Sequence, residues 1–307
     1  MKSFPILLIT TAVLANAALS AENSDAVAIK KPYDQSAHKK GGSAPTIAYR
    51  GGTVMTGAPV SVYLIYYGDV PSGSQNIINT FFTDLRTASN SFFPVNDTYY
   101  DSTGAKVNPT FDFAPITAMI YIDNPPSQGA SIGAKDIPKI IKHAIEAPNG
   151  LPADEGGVYF VLTAPSVKAA GFCRSYCAYH TNSTAIVSGK NIKFALVPDP
   201  GNQCGGCDGN VAIYSQSVTP NGDQGADEMT DSIIHELSET VTDPLGTGWL
   251  TSKGEENGDL CNFVYGPALP NSPPNTTANV EMNGHFYLIQ EIWTNVSTKN
   301  SPQHCAQ

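Results

Sequence analysis

Positive charge is scarce in this 307-residue sequence: 17 Lys and Arg stand against 27 Asp and Glu, a formal net charge of −10 at pH 7. That balance argues against nucleic acid and anionic membrane as partners, because both are bound by basic surfaces. After the first 20 residues no apolar run is long enough to cross a bilayer, so no membrane span is expected. Low-complexity repeats are missing as well, which disfavours a structural wall polymer. Cysteine is absent from the whole first half. One further absence concerns a motif: a histidine and a glutamate that open a metallopeptidase signature are not followed by the usual second histidine.

What is present begins with an export signal. Lys2 supplies the positive end, Phe4 to Leu14 is a short apolar run, and small residues follow up to Ser20. Residues 1–20 are therefore expected to be a cleaved leader, which leaves the chain one unit more negative. Residues 21–45 are polar without apolar period and read as a flexible arm. Residues 46–307 are expected to form a single globular domain, about 260 residues being enough for one substantial core. Sequons at Asn96, Asn182, Asn275 and Asn295 would carry glycans in a eukaryotic host. The six cysteines, Cys173, Cys177, Cys204, Cys207, Cys261 and Cys305, are an even number, as disulfides in an oxidising compartment require. A structural zinc site at Cys173/Cys177 and Cys204/Cys207 is the competing reading. The favoured connectivity joins those two pairs to each other and ties Cys261 to Cys305.

Apolar periodicity places strands and helices in alternation. Val60–Tyr67, 117–122, 158–163, 192–197 and a last run from Phe286 to Trp293 read as strands. Ser72 or Ser74 is expected to cap a helix through Leu85, and Asp136 to cap another carrying Ile137, Ile140, Ile141 and Ile145. The fold class is α/β (α+β): a mixed sheet with packed helices, one of which delivers ligands to a zincin-like site.

That helix contains Ser232-Ile233-Ile234-His235-Glu236-Leu237-Ser238-Glu239. Zincins use H-E-x-x-H, in which residues one turn apart hold the metal and the intervening Glu polarises water. Here Glu239 stands at the second ligand position, a harder donor that opens the site to other divalent ions. Met229, Ile233, Ile234, Leu237 and Val241 share the face expected to pack on the core. His235, Glu239 and Asp243 form a row on the other side, a pattern that a plain solvated face also produces. A third ligand has to come from elsewhere, and the acidic return segment Gly254–Cys261 offers Glu256 and Asp259. His180 and His304, each close to cysteines, are further candidates. Glu236 would be the catalytic base, and zinc is the favoured ion with calcium as the alternative. The partner would be an extracellular substrate or wall component.

Several of these motifs together resemble the Exordium (phosphate-induced protein) family. They are the strand Val62–Gly68, Phe172-Cys173 through Cys177, Tyr179-His180, Cys204 and Cys207, Asn221-Gly222-Asp223, the His235 run, and Asp259-Leu260-Cys261 with Tyr265-Gly266. The likeness extends from about Gly52 to Trp293 in the same order of motifs. It implies a secreted, extracellular or cell-wall protein, plant members being linked to growth responses. Asp243 stands where plant members are expected to carry Asn, and Cys305 has no placed counterpart.

Overall fold

The computed structural model describes residues 46–201, 204, 207, 218–296 and 303–307, together with the backbone of 27–28. The expected leader lies outside the described residues, as does the arm apart from 27–28. In chain order the sheet strands are β1 (Val27–Ala28), β2 (Val60–Tyr67), β3 (Phe111–Asp112), β4 (Ile120–Asp123), β5 (Val158–Thr163), β6 (Tyr179–Val187) and β7 (Lys190–Pro198). The helices are α1 (Ser72–Thr87), α2 (Ile116–Met119), α3 (Ile137–Glu146) and α4 (Gln224–Thr242).

Continuous apolar runs such as VSVYLIYY and VYFVLT suit strands covered on both faces, and both are buried nearly throughout. They pair in parallel, and β7 extends them: Leu64 lies opposite Phe160, which lies opposite Ala195. β6 then pairs antiparallel with β7 and sets His180 opposite Ala195. β1 closes that side against β6, while β3 and β4 both run parallel to β2 on the other. The result is a mixed seven-stranded sheet with packed helices, the α/β class expected.

Four local expectations are corrected. The run 117–122 is strand only from Ile120, where pairing to Leu64 begins; before that, without a ladder partner, the chain makes the helical turn α2. Neither Ser72 nor Ser74 caps α1, whose N-cap is Pro71. Asp136 does not cap α3 with its side chain, because its carboxylate turns back to accept from the Gly133 N–H at 3.0 Å. The last run breaks into His285–Tyr287 and Ile292–Trp293, and residues 288–291 between them turn toward α4. Strand β6 was not anticipated, since its polar stretch Thr181–Thr184 conceals it.

α4 occupies the middle of the molecule, packed against α1 and the β6 and β7 strands. Asp223 caps it by accepting from the Ala226 N–H at 3.1 Å, and receives the Ser74 hydroxyl at 2.6 Å, which ties the start of α1 to the start of α4. Its apolar arc, Met229, Ile233, Ile234, Leu237 and Val241, is fully buried. The opposite row of His235, Glu239 and Asp243 is equally buried, so the solvated-face reading fails.

Disulfides join Cys173 to Cys204, Cys177 to Cys207 and Cys261 to Cys305, which leaves no thiolate for a cysteine zinc site. Among the sequon asparagines, Asn275 is exposed and Asn182 and Asn295 are half-buried. Asn96 is wholly buried, its amide donating to Phe93 O at 3.1 Å and Ser238 Oγ at 3.2 Å. A glycan there is incompatible with this packing, because the enclosed amide is already used in two hydrogen bonds.

Candidate metal centre

Burying charge is costly unless it is paired or coordinated. Yet His180, His235, Glu236, Glu239, Asp243, Glu256 and Asp259 gather around α4 with no residue more than 9 % exposed. No Lys or Arg forms an ion pair with any of them among the described residues.

Helical spacing brings His235 and Glu239 together, as residues one turn apart on α4 must be. His235 Nε2 lies 2.9 Å from Glu239 Oε1, and Asp259 Oδ1 lies 4.0 Å from the same nitrogen. The return segment presses directly on this pair. Gly258 leaves no space for a side chain, since a Cβ there would sit 2.9 Å from Glu239 Oε1 and 3.0 Å from the His235 ring. Directly after it, the Asp259 N–H donates to Glu239 Oε1 at 2.9 Å. The Cys261–Cys305 disulfide ties down the end of the segment.

Gln290, between the strands His285–Tyr287 and Ile292–Trp293, fixes the imidazole. Its amide nitrogen donates to Gly258 O at 3.0 Å, so its amide oxygen is the atom 3.0 Å from His235 Nδ1. An oxygen acceptor there requires Nδ1 to carry a proton, which in neutral imidazole leaves Nε2 as the lone-pair nitrogen. Nε2 is buried without a hydrogen-bond partner, the nearby Glu239 oxygen lacking the alignment of one. Gln290 is held in turn by its own N–H, donating to Asp231 Oδ1 at 2.6 Å, and Asp231 also accepts from Tyr265 at 2.8 Å.

The remaining predicted residues fall on the other side of Glu239. His180 Nδ1 is 3.3 Å from Glu236 Oε2 and 3.4 Å from Glu239 Oε2, while His180 Nε2 is 3.5 Å from Glu256 Oε1. Glu236 Oε1 and both Glu256 oxygens have no hydrogen-bond partner. Asp243, the C-cap of α4, accepts from the Thr247 and Gly248 N–H groups through Oδ1, both at 2.6 Å. His304 is exposed and belongs to neither group of donors. Thus His235, Glu239 and Asp259 converge, Glu236 joins His180 and Glu239, and Glu256 approaches His180 from the far side.

Proton affinities reflect the crowding. Burial would depress His235 and His180, but the carboxylates around them, Glu239 for His235 and Glu256 for His180 foremost, push both well above the usual imidazole range. Burial opposes ionisation of Glu239 too, and the two histidines overcome it, bringing it down to about 2. Burial, then the Glu239 charge, raises Asp259 to about 7. Glu256 is held well above the carboxylate range by burial and the neighbouring acids, and Glu236 is raised chiefly by burial. A cluster that binds protons this tightly is one in which a cation can replace them.

His235, Glu239, Glu256, Asp259 and the candidate base Glu236 were identifiable from sequence. Gln290 was not, since a lone glutamine in a loop carries no motif. The signal that points to it is indirect: a metal-ligating histidine needs an acceptor for its other nitrogen.

Comparison with known proteins finds a family match and similar proteins in a plant. Residues 47–302 match the family described as the phosphate-induced protein 1 conserved region. The chain is similar to Protein EXORDIUM-like 5 of Arabidopsis thaliana, 27% identical over 280 residues, covering 80% of this chain and 75% of that protein. It is 28% identical over 281 residues to Protein EXORDIUM-like 3 of the same plant, covering 81% of each. No solved structure matches, so the zincin-like reading rests on the His235–Glu239 spacing.

Proposed function

The chain belongs to the phosphate-induced protein 1 family, and we propose that it is an extracellular metalloprotein whose His235, Glu239 and Asp259 hold a divalent cation between α4 and the return segment. The observation that carries this reading is the His235 imidazole. Its Nδ1 is committed to Gln290 and its Nε2 is buried, unpartnered and beside two carboxylates. One nitrogen and two carboxylate groups suit zinc, and the oxygen-rich surroundings also admit calcium. Three disulfides and Exordium-like relatives support an extracellular setting.

The donors are at most 7 % exposed, a closed shell that suits an ion holding two chain segments together. In an extracellular protein such an ion would make the surface above it rigid for binding a wall component or other partner. Elemental analysis of the purified chain tests the centre. A divalent ion is expected in the wild type and a reduced content in His235→Ala, whereas equal metal content in both proteins would dismiss it.

A hydrolytic role is the second reading, favoured by the buried, unpartnered Oε1 of Glu236, which follows His235 on α4. A bound cation would supply Lewis acidity, and Glu236 would take a proton from the attacking water and return it to the leaving group. In that case Glu236→Gln keeps its full metal content and loses all hydrolysis of extracellular peptides. A wild type without such activity removes this reading and leaves the metal centre standing.

A further inference from the structure

The carboxylate of Glu239 has a histidine at each of its oxygens. Oε1 lies 2.9 Å from His235 Nε2, and Oε2 lies 3.4 Å from His180 Nδ1. Resting on the metal-centre reading above, we infer that Glu239 bridges two cations, the second held by His180, Glu236 and the Oε2 of Glu239.

Geometry supports a second position. Ligands about 2.0–2.1 Å from a shared tetrahedral zinc ion are separated by roughly 3.3–3.4 Å. His180 Nδ1 stands at 3.3 Å from Glu236 Oε2 and 3.4 Å from Glu239 Oε2. Each of the two groups, His180–Glu236–Glu239 and His235–Glu239–Asp259, brings one donor atom per residue within 4.8 Å of the others. Two elements distant in sequence build the second group, α4 and β6. The β6–β7 pairing sets His180 opposite Ala195, and the Cys177–Cys207 disulfide anchors the chain just before it.

Charge balance supports it as well. Glu236, Glu239, Asp243, Glu256 and Asp259 are five buried carboxyl groups around two imidazoles, with no basic side chain paired to them among the described residues. One divalent ion at His235 would leave Glu236 and Glu256 facing His180 without further compensation. Glu256 is wholly buried with both oxygens unpartnered, and Oε1 lies 3.5 Å from His180 Nε2. It is an acceptor placed to hold the proton on His180 Nε2, which leaves Nδ1 as the ligating nitrogen. The two histidines thus ligate through opposite ring nitrogens, and each has an oxygen acceptor near the other. Carboxylate-bridged pairs of this kind hold metals about 3.5–4 Å apart.

This assignment changes the role of Glu236 from base to ligand, and metal counting separates the two. Wild-type full-length protein is titrated with Zn2+ by calorimetry and analysed for bound metal at saturation. Two equivalents are expected; one equivalent overturns the bridged pair and leaves the single centre; none overturns both. His180→Ala and Glu236→Gln should each lose about one of the two equivalents, and Glu239→Gln should lose both. Full occupancy in Glu236→Gln would overturn the ligand assignment. Cobalt substitution provides a readout independent of folding yield. Two Co2+ sharing a carboxylate couple magnetically, so the wild type should show a weakened electron-paramagnetic signal per cobalt that His180→Ala restores. An undiminished signal in a two-cobalt wild type overturns the shared carboxylate.

Discussion

Gln290 presents its amide oxygen 3.0 Å from His235 Nδ1 while its amide nitrogen holds the Gly258 carbonyl at 3.0 Å. One side chain thus sets the tautomer of the histidine and the position of the loop that carries Asp259. Replacing it with Ala should weaken zinc binding about 10–100-fold, the usual loss when such a partner is removed. Gln290→Glu keeps an acceptor at Nδ1 but loses the donor to the Gly258 carbonyl, so it should recover part of that loss. Titration of both variants with a zinc-competing dye checks the pair; equal losses would mean that the hold on the Gly258 carbonyl, and not the acceptor at Nδ1, carries the effect.

Gly258 is glycine for reasons of space, its φ of −72° being open to any residue. A methyl group there meets the Glu239 carboxylate at 2.9 Å and the His235 ring at 3.0 Å. Gly258→Ala should lower unfolding stability by about 1–3 kcal/mol, as overpacking of a filled interior does, and weaken cation binding with it. Chemical denaturation with and without zinc measures both effects.

Cation binding should depend on pH in a defined direction. Asp259 titrates at about 7, and Glu256 and Glu236 are raised as well. Below neutrality these groups carry protons that a cation must displace, so affinity should rise as pH increases through 7, and the two histidines, held well above the usual imidazole range, should extend that rise to higher pH. In the metal-free protein the sign for stability is the opposite. A carboxyl group raised from 3.8 to about 7 favours the folded state fully at pH below its unfolded value. That contribution is lost as pH climbs through 7. Melting midpoints should therefore fall with rising pH under chelation and fall less, or not at all, with saturating zinc. Parallel curves in the two conditions would contradict the cluster as the cation site.

Glycan mapping tests the packing around α4. Asn96 donates to Ser238 on α4 and accepts from Asn257 at 3.2 Å, so it should be unmodified when the chain is made in a eukaryotic secretory host. Asn275, exposed on its loop, should carry the glycan. A glycan on Asn96 with a normally folded product would contradict its burial.

Much of the fold was legible because the central strands are apolar throughout, and Val60–Tyr67 and Val158–Thr163 run as the pattern dictates. β6 escaped because Thr181, Asn182, Ser183 and Thr184 lack apolar alternation, although β7 and β1 pair with it on either side. At the centre, the i, i+4 spacing foretold that His235 and Glu239 meet, and the crosslinked acidic segment offered Glu256 and Asp259 alike as the further ligand. Burial of that row was not legible, because polar residues on a helix face look the same whether water or a loop covers them. His180 stood among the candidates for its nearby cysteines, but its contact with Glu236, like that of Gln290 with His235, spans 55 or more residues, which no local pattern encodes.

The most direct measurement is anomalous scattering from a crystal of the zinc-loaded protein, recorded on both sides of the zinc absorption edge. A peak within bonding distance of His235 Nε2, Glu239 and Asp259 is the expected result. A fully zinc-saturated crystal with no peak at those three side chains would contradict the metal centre.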